Sequence, residues 1–157
     1  MGHATCYYYS GNIKHMQNHG SVYPDGGGRM KRDMDLIRKI MLQIEKEYVS
    51  TAILNLKVED YTPEQIATHC KMLYEAGLLS DYKAQYASDE LYMFGVGNLT
   101  WEGYDYLDKI RDDSIWKKVK DTAKEHGVPL LLDTVKQISS AIISAMTEGA
   151  IKAITGP

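Results

Sequence analysis

The amino-acid sequence predicts an α+β domain, and three observations carry that prediction. After residue 29 the apolar residues recur at steps of three and four, as on one face of a helix. Two stretches rich in β-branched, aromatic and apolar residues, 50–58 and 79–100, interrupt that pattern. Beyond Thr100 the remaining segments read as helices again.

The elements follow in order. Met34, Ile37, Met41, Ile44 and Tyr48 mark the inner face of a first amphipathic helix. "STAILNLKV" (50–58) reads as a short strand. In the next helix Thr62 is the N-cap, Pro63 occupies the first position and Gln65 completes a capping box. Its buried face is Ile66, Cys70 and Leu73, and Gly77 stops it. "LSDYKAQ" and "ELYMFGVGNLT", joined by the polar "YASDE", form a hairpin. Thr100 caps a helix over "WEGYDYLDKIRDD", Ser114 starts "IWKKVKDTAKEH", and Gly127 and Pro129 close it. A last helix is expected from about Leu130 to Ile154. The order helix, strand, helix, β-hairpin, then C-terminal helices fits a winged-helix-like architecture.

With 157 residues and 44% hydrophobic content the chain can bury one core. Its formal net charge is -3, and from Met30 onward acidic residues outnumber basic ones. Such a field does not draw the chain to phosphate backbones. The two cysteines, Cys6 and Cys70, make no disulfide framework and fit free thiols in a reducing cytosol. No stretch reaches the ~20 apolar residues of a membrane span, and no secretory signal opens the chain. Twelve tyrosines against one phenylalanine suit half-buried positions and interfaces.

Residues 1–29 show no period of 2 or 3.6 and are expected to be a flexible or non-native segment. Codons for Gly26 and Gly27 can spell a purine-rich ribosome-binding site a short spacer before Met30, which favours Met30 as the biological start. Residues 30–128 would then be the winged-helix-like domain and 129–157 a C-terminal amphipathic helix.

"MKRDMDLIRKIMLQIE" and "LTWEGYDYLDKIRDDSIWKKVK", with a histidine-bearing helix between them, resemble an uncharacterised family of bacteria, phages and prophages. It is known as a domain of unknown function, number twenty-five-thirteen. The resemblance covers about residues 30–120 and implies a mobile-element setting in a bacterial cytoplasm; members typically begin at the equivalent of Met30. It implies no activity, cofactor or catalytic residue. "TPEQIATHCKMLYEAGLL" is also similar to the recognition helix of small winged-helix repressors. That likeness implies that Thr62, Gln65, Thr68 and Lys71, with Lys83 on the wing, would face DNA. The wing departs from the pattern, carrying Asp81, Asp89 and Glu90 against Lys83 alone.

Few residues suggest chemistry. His3, Cys6, His15 and His19 have a metal-like spacing, but chance clustering in a polar tail explains it. His69 and Cys70 are helical neighbours about 100° apart, so they do not form a catalytic pair. The expected arrangement is a structural thiol beside a partly exposed imidazole. "GVG" at 95–97 lacks the lysine and helix of a phosphate loop. Asp105, Asp108, Asp112 and Asp113 interleave with Lys109 and Arg111 as a solvated face, while Trp101 and Trp116 are expected to anchor helix packing. No nucleophile, base and oxyanion donor assemble. The sequence therefore predicts no enzyme, no cofactor and no metal.

The expected function is a non-catalytic binding module acting through a protein partner or a homo-oligomer. The predicted interface is the last helix, where Leu131, Val135, Ile138, Ile142, Ala145 and Gly149 form a heptad-like seam. The alternative is a DNA-binding regulator using the middle helix.

Overall fold

The computed structural model describes residues 30–156, so the expectation for residues 1–29, including His3, Cys6, His15 and His19, falls outside the described residues. The fold is α+β, with five helices and a three-stranded antiparallel sheet among the described residues.

Helix α1 (Met34–Glu47) begins where Asp33 accepts hydrogen bonds from the amides of Asp35 and Leu36, satisfying two N-terminal donors. Its inner face is Met34, Ile37, Ile40, Met41 and Ile44, joined by Leu36, all buried. The predicted strand over 50–58 shrinks to β1 (Ile53–Leu54), because Asn55 takes a positive φ of 48° and turns the chain aside. The Asn55 side chain then accepts from the Phe94 amide (3.0 Å), and its own amide donates to the Phe94 carbonyl (2.8 Å). Helix α2 (Pro63–Glu75) carries the predicted capping box of Thr62 and Gln65. It ends in a Schellman motif: Gly77, at φ 74°, donates to the Tyr74 carbonyl and Leu78 to that of Leu73.

The hairpin of β2 (Tyr82–Ala87) and β3 (Glu90–Val96) turns through Ser88 and Asp89, both at positive φ, as a two-residue turn requires. The strand order is β1-β3-β2. Gln85 pairs with Met93 and Tyr86 with Leu91, which makes Tyr92 the extra residue of a β-bulge.

Helix α3 (Trp101–Ile110) is capped by Thr100, as predicted. Helix α4 (Asp113–Glu125) is capped by Asp112, not Ser114: the Asp112 carboxylate accepts from the amides of Ser114 and Ile115 and from the Ser114 hydroxyl. Helix α5 (Leu132–Thr155) packs on α3 and α4.

The core joins α1, α2, the inner face of the sheet and α3, and extends through Trp116, Val119 and Val135 to the last two helices. Arg38 ties the layers together. Its guanidinium donates to the carbonyls of Ile110 (2.7 Å) and Arg111 (2.5 Å) at the end of α3, and to Asp113 (2.7 Å). Those carbonyls belong to a helix C-terminus, where a cation is favourable. The Trp116 indole (2.6 Å) and the Lys120 ammonium (2.9 Å) both donate to Asp35, fastening α4 to the first turn of α1. The winged-helix likeness rests on element order and the small sheet; a helix before α2, which such repressors have, is replaced here by β1 and its loop.

Candidate functional site

The predicted DNA-facing residues are placed on α2 and β2, but local structure engages most of them. Thr62 and Gln65 satisfy each other's backbone in the capping box. Lys71 lies 3.8 Å from Glu75 and Lys83 3.8 Å from Asp81, exposed pairs that offset two of the cations a phosphate backbone would need. Thr68 is half-buried.

His69 is a correction to the sequence reading. It is buried, 1% exposed, and both ring nitrogens are used. Nδ1 donates to the Gln65 carbonyl (2.8 Å) and Nε2 accepts from the Asp33 amide (2.8 Å). A carbonyl can only accept and an amide can only donate, so the ring is neutral with its proton on Nδ1. The Tyr61 hydroxyl completes the cluster by donating to the other oxygen of Asp33 (3.1 Å). Burial, with the Asp33 carboxylate beside it, raises the Tyr61 phenol to about 12. Cys70 is fully buried, and desolvation pushes its thiol up to about 12, far from a nucleophilic thiolate. The pair is structural.

Trp101 is a second correction. It is 81% exposed because it is the first residue of α3, directly after the Thr100 cap, and points away from the core; Trp116 alone anchors packing. The Tyr106 hydroxyl is buried and finds no hydrogen-bond partner among the described residues, and burial pushes its pKa well above the ordinary phenol value. Among the described residues no group of three or more His, Cys, Asp or Glu is placed to hold a metal ion.

A groove of about 660 Å³ lies between the β1–α2 loop, the start of α2 and β3. Leu56, Val58, Ile66 and Leu91 contribute its apolar surface, and Tyr61 and Tyr92 its aromatic groups. No motif or periodicity in the sequence points to it. It depends on the turns at Asn55 and Asp60, both at positive φ, and on the Tyr92 bulge, which no periodicity reports.

The predicted seam on α5 divides in two. Val135 is fully buried in this chain's own core, so it is corrected from interface to core, and Ile138 and Ile142 are partly buried where they pack against that core. Leu131 precedes the helix and is partly exposed. Ala145 and Gly149 continue the same line past the end of the body. From Ser144 to Gly156 every residue is exposed, including Met146 (50%), Ile151 (53%) and Ile154 (85%). About half of a 24-residue helix therefore overhangs the domain. No helix among the described residues is long and apolar enough to cross a membrane.

Fold and surface define an α+β body with a projecting C-terminal helix. The chain belongs to the family described as "Hypothetical protein (DUF2513)", whose profile matches residues 31–129, from the start of the domain to just before α5. It is also similar to an "Uncharacterized protein" of Haemophilus influenzae, 38% identical over 120 residues, which covers 74% of this chain and 98% of that protein. No solved structure matches.

Proposed function

We propose that the chain is a non-catalytic binding module of mobile-element type, acting in a bacterial cytoplasm by protein–protein contact through the overhanging half of α5. The observation that carries this reading is the overhang. It is thirteen residues in which every side chain is exposed, with three large apolar ones among them. Helices of ~12 residues are marginal in water unless a packed face supports them. Exposed apolar patches of this kind mark interaction sites.

The experiment is site-specific photo-crosslinking in cells. A benzoyl-phenylalanine at Ala150 is expected to yield a discrete covalent adduct, and one at the exposed Lys118 none. Equal, diffuse labelling at both positions would overturn the reading.

The alternative, a DNA-binding regulator, has weaker support. Thr62 and Gln65 are held in the cap, Lys71 and Lys83 sit beside carboxylates, and the wing tip bears Asp89 and Glu90. Retardation of random duplex DNA is expected to be weak at physiological salt, and Gln65→Ala with Thr68→Ala should change it little. Tight, sequence-selective binding lost in that double variant would reverse the ranking.

A further inference from the structure

The overhang of α5 has a charge pattern that a second overhang can match. Between Gln137 and Gly156 the only charged residues are Glu148 and Lys152. They are four apart and so share one flank of the helix. A step of about 100° per residue puts Ile142, Ala145, Gly149 and Ala153 on one line, with Lys152 and Glu148 to one side and Met146 and Ala150 to the other. That line is the continuation of the face that packs on the core through Val135, Ile138 and Ile142.

We propose that a second copy of this chain covers that face, with two overhangs crossing antiparallel about a two-fold axis beside Gly149. Helices paired in this way keep like flanks on the same side, so Glu148 of each copy comes beside Lys152 of the other, twice by symmetry. A parallel pair would instead set the charged flank of one helix against the Met146 flank of the other, leaving both charges opposite apolar groups. The charge order thus selects self-pairing and its direction. The space around Gly149 is open, with nothing within 4 Å of where a Cβ would stand, so two backbones can approach closely there. On the Met146 flank, the shallow depression formed by Ile115, Ile143, Met146, Thr147 and Ala150 brings α4 into the contact.

This inference rests on the overhang being an interaction surface, and the test separates the two. Sedimentation velocity of the full chain at micromolar concentrations should show a dimer. Glu148→Lys should weaken it about tenfold, and adding Lys152→Glu should restore it, because the swapped order is again self-complementary. Gly149→Leu should abolish it by blocking close approach. None of these side chains touches the core, so native far-UV dichroism is expected throughout. In a Cys6→Ser background, Gly149→Cys should oxidise to a linked dimer and Ala145→Cys should not, since antiparallel crossing sets the two copies of residue 145 about 12 Å apart along the axis. Cys70 is buried and does not compete. A monomeric wild type, or Ala145→Cys linking as readily as Gly149→Cys, overturns the proposal. If a monomeric wild type still gives a crosslink from Ala150 to a different protein, self-pairing falls while the interaction reading stands.

Discussion

Replacing Gly103 with alanine is expected to destabilise the fold, although it puts a better helix former inside a helix. Alanine should gain about 1 kcal/mol over glycine from helix propensity alone. Here a Cβ would stand 2.3 Å from the Leu78 carbonyl oxygen and 3.2 Å from its carbon. The obstacle is backbone, so no rotamer change relieves it. The same carbonyl accepts the Thr100 amide (3.0 Å), and Thr100 is the N-cap of α3, its hydroxyl accepting from the Gly103 amide and donating to the Gly77 carbonyl. Moving Leu78 therefore disturbs the Schellman turn after α2 and the start of α3 together. Overpacking of this kind typically costs about 1–3 kcal/mol, and the top of that range is expected because two helix ends share the contact. Urea denaturation of wild type and Gly103→Ala measures it. A variant as stable as the wild type, or more so, would mean that α3 can slide on α2 without penalty.

The sequence carried the helices and lost several of the details that tertiary structure decides. Helix α1 was legible because its apolar residues repeat at helical spacing, and α2 because Thr62, Pro63 and Gln65 form a local capping signal. Residues 50–58 read as a full strand because apolar composition does not reveal that Asn55 adopts a positive φ and ends β1 after two residues. Residue type alone makes Trp101 an expected anchor of helix packing, whereas its position straight after a cap turns it outward. The seam on α5 is a true helical face. Periodicity alone does not say where the body beneath it stops, which divides Val135, Ile138 and Ile142 from Ala145 and Gly149. Packing thus decides which half of a continuous pattern is core and which is available to a partner.

His69 shows the same limit from the other side, because its role depends on a partner 36 residues away. Replacing it with alanine is expected to cost about 2–4 kcal/mol, from two sources. The Asp33 amide loses its acceptor at a part-buried site, which costs up to about 1–3 kcal/mol. The lost ring also leaves a cavity beside α1 and α2, and large-to-small changes in cores cost a few kcal/mol on that account. The damage should be local at first. Asp33 holds the first turn of α1 through the amides of Asp35 and Leu36, and its other oxygen accepts from Tyr61. Loosening Asp33 therefore frees the start of α1 from the loop before α2. Tyr61→Phe removes only the last of these bonds, at a partly exposed site, and should cost less, about 1 kcal/mol. Hydrogen exchange followed residue by residue separates local from global loss. In His69→Ala the amides of Asp35 to Ile37 should exchange faster than those of α3 by more than the global destabilisation explains. Uniform acceleration across both helices would show that His69 serves only as core volume and that its bond to Asp33 holds nothing in particular.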